Sequence, residues 1–263
     1  MVELSVIIPT LKPPAEVESV AALEAGTYDD YEVLIQSEDS ATKARNAGIR
    51  RAKADKLVFL DDDSHPVADY LERAAALLDE HPVVTGRIHH PRNDVIKRFT
   101  GHYDRGDVPK YVTRFWGCNV ACRREVFDEV GLWDERISWG HEEKELAERI
   151  LLKYPIYYDP ELAITHSYAD SVRDYWRKQY QLELQTPYLW DKAGLSTTRQ
   201  WMNVVFPLLN PANYLGFSPE HALARGGGNV ARFVGRTRGM LRKGTQEPPP
   251  PGPEESLSRH GRA

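Results

Sequence analysis

An α/β fold built on a mostly parallel sheet flanked by helices, followed by a helical carboxy-terminal appendage, is what the sequence predicts. Three observations carry that expectation. Short apolar runs, Leu4–Ile8, Tyr31–Ile35, Leu57–Leu60 and Val83–Ile88, alternate with segments of helical period. A β-α-β-α-β-α-β order belongs to parallel sheets with helices on both faces. The run Leu57–Leu60 stops at three consecutive carboxylates, Asp61, Asp62 and Asp63, which puts acids at the carboxyl end of a buried strand, where open α/β sheets bind ligands. From Ser171 on, aromatic and basic residues interleave, as in Tyr175-Trp-Arg-Lys178.

The elements follow in order. Leu4–Ile8 is a strand closed by Pro9-Thr10, and Pro13-Pro14 marks a turn. Glu16–Ala25 carries Val17, Val20, Ala21 and Leu23 at helical spacing before Gly26. After the strand Tyr31–Ile35, the loop Gln36–Ser40 leads into a helix start rich in small and basic residues, Ala41–Arg50. Pro66–Glu80 is predicted as a helix with Pro66 in its first turn and Leu71, Ala74, Ala75 and Leu78 on one face. Between His89 and Tyr111 no period survives, as in a loop near a site. Val112–Ala121 reads as extended, Arg123–Val130 as a short helix ended by Gly131, and Glu142–Lys153 as a longer helix with an apolar stripe of Leu146, Ala147, Ile150 and Leu151. Ile156–Tyr158 and Leu162–Thr165 are strand candidates, the second leading into His166. The domain reading is 1–168 for the α/β part, 169–244 for a helical region that Gly226-Gly-Gly228 interrupts, and 245–263 for a Pro-rich tail expected to be disordered.

A chain of 263 residues, 41% hydrophobic, can bury a large core. Its formal net charge of −5 gives no reason to expect a nucleic-acid partner. Two cysteines, Cys118 and Cys122, are too few for a disulfide framework and too far apart in a strand to bridge, so reduced, part-buried thiols and a cytoplasmic setting are expected. Met1–Pro9 lacks a basic leader and reads as a strand, not a signal peptide. No run of about 18 apolar residues exists to span a membrane.

The chemistry collects at three places. Three adjacent carboxylates repel one another and gain most from a bound cation, and all-oxygen ligands suit Mg²⁺ or Mn²⁺ together with substrate phosphates. An acidic turn after a strand is the plainer alternative. Glu142 and Glu143 fall at a helix start, where they either favour the macrodipole or, beside a metal, supply a general base. His166 stands at a strand end, either an ordinary histidine or a neutral ligand completing a divalent site.

Ser5-Val-Ile-Ile-Pro-Thr10, Lys43-Ala-Arg-Asn-Ala-Gly48, Phe59-Leu-Asp-Asp-Asp63, Arg123 through Glu135, and Trp139-Gly-His-Glu-Glu143 occur in one order and spacing. In that order they resemble the inverting, metal-dependent nucleotide-sugar glycosyltransferases of family 2, over about Leu4 to Tyr168. The resemblance implies a GT-A type, Rossmann-like sheet and transfer of a sugar from a nucleotide-diphosphate donor to an acceptor hydroxyl. It places Pro9, Thr10, Leu11, Ser37 and Glu38 against the base and ribose, with Lys43 and Arg45 near the nucleotide or supporting its loop. Asp61 and Asp62 would serve the nucleotide, and Asp61, Asp63 and His166 the Mn²⁺ or Mg²⁺. Glu143 takes the place of the family's catalytic Asp, with Glu142 as the other candidate base. The implied partners are a nucleotide-sugar donor, a UDP-sugar by default, and an acceptor glycan or lipid-linked sugar.

This sequence departs from the family pattern in three places. Ser37-Glu-Asp-Ser40 stands where an Asp-Asp-Gly-Ser-like turn is usual, Thr10-Leu-Lys-Pro-Pro14 where a Tyr-Asn is common, and Glu143 is one methylene longer than Asp. Three other readings compete: a phosphatase with an Asp nucleophile, a nucleotidyltransferase, and a non-catalytic nucleotide-sugar-binding scaffold. His65 and the lack of a Gly-rich first loop weigh against the first two. The carboxy-terminal mixture of Arg, Lys, Trp and Tyr suits either helices over the acceptor side of the core or a peripheral segment on the cytoplasmic face of an anionic membrane.

Overall fold

The structure is a computed structural model, described here for residues 2–91, 94–99, 101–214 and 218–242. The chain forms two compact units, Met1–Ser171 and the part from Val172 onward. The first holds β1 (Leu4–Pro9), α1 (Glu18–Glu24), β2 (Tyr31–Gln36), α2 (Ala41–Arg51), β3 (Lys56–Phe59), β4 (His65–Pro66), α3 (Tyr70–Glu80), β5 (Val83–His89), β6 (Lys110–Val112), β7 (Val120–Arg123), α4 (Arg124–Val130), α5 (Glu142–Ile150) and β8 (Ile156–Thr165).

The sheet is mixed, in the order β2-β1-β3-β7-β5-β8-β4, with β6 also on β8. β1 pairs parallel with β2 and β3, and β5 pairs parallel with β8. β7 is inserted antiparallel between β3 and β5, so those five strands still share one direction. Helices cover both faces, as the alternation predicted. One face packs Val6, Val58, Leu60 and Val84 under Leu23 of α1 and Tyr70, Leu71, Ala74 and Leu78 of α3. The other packs Ile7, Phe59 and Val120 under Ile49 of α2, Val126 and Phe127 of α4, and Leu146, Ala147 and Ile150 of α5. Gly48 lets α2 lie on β1, since a Cβ there would stand 2.4 Å from Ile7 Cγ2.

Several expectations need correction. Pro66 is not in the first turn of α3. It lies in β4, where His65 and Pro66 pair with Thr165 and Ile164, because a proline can sit in a short edge strand without a ladder donor. Val112–Ala121 is not one extended run, since β6 ends at Val112 and β7 starts at Val120, with a loop between them. Cys118 therefore precedes the strand, and both thiols are buried rather than part-buried. Leu151 is the C-cap of α5 and exposed, outside the stripe. Ile156–Tyr158 and Leu162–Thr165 are one strand, with the register against β5 shifting between Gly86 and Ile88. A Cβ on Gly86 would overlap the Leu162 carbonyl, so that crossing needs glycine.

The second unit contains α6 (Val172–Lys192), α7 (Thr197–Leu209) and α8 (Pro219–Arg242). Gly226-Gly-Gly228 does not interrupt it but lies inside α8. Ala224, Gly228, Gly235 and Gly239 are buried at helical spacing. A Cβ on Gly235 or Gly239 would meet the carbonyls of Tyr180 or Leu184, so α6 and α8 approach backbone to backbone. Glu183, buried in α6, receives both Nε and Nη2 of Arg236 at 2.7 Å, which satisfies its charge inside the seam. Lys243 and the Pro-rich tail lie outside the described residues.

Candidate active site

The acidic turn is held by its own backbone. Ser64 N–H donates to the Asp61 carbonyl at 3.1 Å, and Asp61 N–H to Ser64 Oγ at 3.2 Å. The turn runs into β4, and the pairing of His65 with Thr165 carries the three aspartates to the end of β8, where His166 begins. His166 is fixed by its own N–H on the His89 carbonyl at 3.0 Å. Its Nε2 then lies 3.3 Å from Asp63 and 3.8 Å from Asp61. Burial acts to raise the Asp63 pKa, but the hydrogen bond and charge of His166 outweigh it and hold that carboxyl below the ordinary carboxylate value.

Asp62 points elsewhere. It accepts a hydrogen bond from Thr10 Oγ1 and pairs with Lys12 Nζ at 3.0 Å, tying the turn to the loop after β1. That bond is the main reason the Lys12 pKa is raised. Pro9 ends β1, and Leu11 is exposed beyond it. Ser37 is exposed, whereas Glu38 has one buried oxygen, Oε2, with no partner among the described residues, although Oε1 lies 3.7 Å from Arg51. Lys43 pairs with Asp39 at 3.0 Å on the surface.

Arg45 is the hub. It is 3% exposed, donates from Nη1 to Glu142 and from Nη2 to Asp61, both at 3.1 Å, and stacks over the Trp133 ring at 4.8 Å. Burial alone would lower its pKa, but Asp61, Glu142 and Glu143 together raise it, so the guanidinium stays charged. Gly117 leaves room for it, since a Cβ there would stand 2.5 Å from Nη2. Asn46, next along α2 and buried, donates to the Trp133 carbonyl at 2.9 Å and accepts from Trp133 N–H at 3.0 Å. These two residues fasten α2 to the segment that leads into α5. Neither Asn46 nor Trp133 was singled out from the sequence, although both lie in motifs quoted there.

α5 starts from a strained turn. His141, its N-cap, has φ 67°, a conformation uncommon for a residue with a side chain. Glu142 is buried, with Oε1 on Arg45 and Oε2 without a partner among the described residues. Among the described residues, Glu143 accepts only a long hydrogen bond, 3.4 Å, from Gly117 N–H. Burial first, then the neighbouring Glu142 charge, push its carboxyl up to about 8.

The structure therefore gathers Asp61, Asp63, His166, Arg45, Glu142 and Glu143. Thr10 and Asp62 sit one step away, and Lys43 and Ser37 take no part in that gathering. Cys118 Sγ also lies within 4.8 Å of ligand atoms of Asp61 and His166. Burial raises its pKa far above the ordinary thiol value, so it is a neutral thiol and a poor partner for a hard cation. Asp61, Asp63 and Glu142 around one guanidinium leave an excess of negative charge even with Glu143 protonated, and the oxygen and imidazole donors fit a divalent cation such as Mn²⁺. The small cavity between α1 and α3, lined by Leu23, Gly26, Tyr28 and Leu71, contains none of these groups.

The sequence model described as "Glycosyl transferase family 2" matches residues 12–131. A search of curated sequences finds no match. Among solved structures, the fold is similar to the crystal structure of GalNAc-T7 with UDP, GalNAc and Mn²⁺, at 15% identity and a TM-score of 0.53. That alignment covers 94% of this chain and 58% of the other, so this chain spans little more than half of that protein. The scaffold is GT-A, and residues 12–131 of it match the sequence model of the family 2 glycosyltransferases.

Proposed function

We propose that this domain transfers a sugar from a UDP-sugar to an acceptor hydroxyl by direct displacement with inversion, using Asp61, Asp63 and His166 for a divalent cation and Glu143 as general base. The single observation that carries the reading is the convergence of Asp61 and Asp63 on His166, with Arg45 tying Asp61 to the start of α5 where Glu143 sits. A cation held there would supply the positive charge that a departing diphosphate needs. Glu142 is committed to Arg45 and acts through it, keeping Asp61 in place. Glu143 makes no ion pair in that network, and its raised pKa suits a group that takes a proton from a hydroxyl near neutral pH. A base facing the leaving group across the sugar inverts the anomeric carbon.

The test is a panel of UDP-sugars with and without Mn²⁺, read as UDP release and, with an acceptor, as product anomer by NMR. Cation-dependent release from at least one donor, abolished in Asp63→Asn together with calorimetric nucleotide affinity, is the expected result. Binding without release from any donor favours the scaffold reading, and undiminished affinity in Asp63→Asn removes the site.

A further inference from the structure

The helical unit carries an apolar face that its own packing leaves uncovered. In α7, Gln200 and Val204 are buried, while Trp201, Met202, Val205, Phe206 and Leu209 are exposed. Met202, Phe206 and Leu209 are 64%, 67% and 70% exposed. At about 100° per residue, the five side chains fall within an arc of roughly 140°, a single helix face. α8 repeats the arrangement. Leu223, Val230, Val234 and Leu241 are exposed and fall along one line of the helix, on a different side from the glycines buried against α6.

Charge narrows what covers that face. Residues 172–242 contain ten Arg and Lys against four Asp and Glu, a net +6, whereas residues 1–171 contain 21 against 32, a net −11. Some of the positive charge is used internally, as Arg232 and Arg236 are on Glu183. Arg199 at the start of α7 and Arg238 of α8 are exposed. A second copy of this unit would bring like charges together, which opposes self-association. An anionic lipid surface complements both properties at once: basic side chains meet the headgroups while aliphatic and aromatic ones enter the acyl boundary, where Trp is favoured. No described helix is long and apolar enough to cross a membrane, which leaves lying in the interface as the mode.

We infer that α7 is an interfacial helix that docks this chain on a bilayer containing anionic phospholipid. Trp201, Met202, Val205, Phe206 and Leu209 form the inserted face, and the basic residues of the same unit form the attracting field. This inference rests on the helical unit alone and is independent of the donor chemistry proposed for the other one.

The experiment is co-sedimentation of the full chain with vesicles of phosphatidylcholine alone and of phosphatidylcholine with one-third phosphatidylglycerol. The expected result is retention on the anionic vesicles that weakens with added salt, as a surface field is screened. Replacing Phe206 and Leu209 together by Ser should reduce that retention about tenfold or more, since each lost apolar side chain removes part of the insertion energy. Both residues are exposed, so the variant should keep its circular dichroism spectrum and melting temperature, which distinguishes lost docking from lost folding. Failure of the wild-type chain to bind either vesicle overturns the inference. Equal retention of the double variant does so too, as does a dimer in light scattering that the double variant dissociates.

Discussion

Replacing Glu143 by Gln changes one atom and tests both the chemistry and the electrostatics of the site. The folded chain holds the Glu143 proton more tightly than the unfolded chain, with a pKa pushed up to about 8 from an ordinary 4.5. Between those values the native state binds more protons, so this group lowers stability as pH rises from about 4.5 to about 8 and contributes no penalty below that window. One decade in the protonation equilibrium is worth about 1.4 kcal/mol, which bounds the cost of charging near 5 kcal/mol. The residue keeps intermediate exposure, so solvent screening brings the expected cost to about 2 kcal/mol. Gln carries no such charge. In a metal-free buffer containing chelator, Glu143→Gln should therefore melt about 4–8 °C above wild type at pH 8, with the difference closing by pH 4.5. The same variant should retain nucleotide binding and lose transfer by about 10²–10⁴-fold. In the wild-type enzyme, transfer should rise with pH as the carboxyl loses its proton, the limb falling at or below about 8. A Gln variant with wild-type turnover would refute the assignment and move the base to Glu142. A melting difference that does not depend on pH would refute the electrostatic argument.

Two further predictions concern packing. Arg45→Met should cost about 3–5 kcal/mol in urea unfolding, because Asp61 and the buried Glu142 lose their shared partner. Arg45→Lys should recover little of it, since one ammonium cannot span two carboxylates and stack on Trp133 as well. Gly48→Val should cost about 1–3 kcal/mol in the same measurement, because β1 and α2 cannot separate to admit the new side chain without disturbing Ile7.

Much of the site was legible because its parts are local. The run Leu57–Asp63 announces a buried strand with acids at its tip, and His166 follows the strand it was expected to follow. The role of Arg45 was not legible, because its partner Glu142 lies 97 positions away and charge pairing leaves no periodic trace. The same holds for Asn46 and Trp133. Pro66 reads locally as a helix start because prolines favour first turns, and only the partner strand, nearly a hundred residues later, reveals β4. The triple glycine of α8 reads as a break because glycine disfavours helices by about 1 kcal/mol per residue. The close seam with α6 offsets that, and the four-residue interval between Ala224 and Gly228, repeated between Gly235 and Gly239, was the available clue.

The stretch that the family profile recognises ends at residue 131, yet Glu142, Glu143 and His166 all come later in the chain. A fragment cut at that border would keep the acidic strand tip and the guanidinium that serves it, and would lack Glu142, Glu143 and His166. The length that sequence comparison recognises and the length that holds the proposed site thus differ, and on that proposal a minimal catalytic piece of this protein has to run past β8.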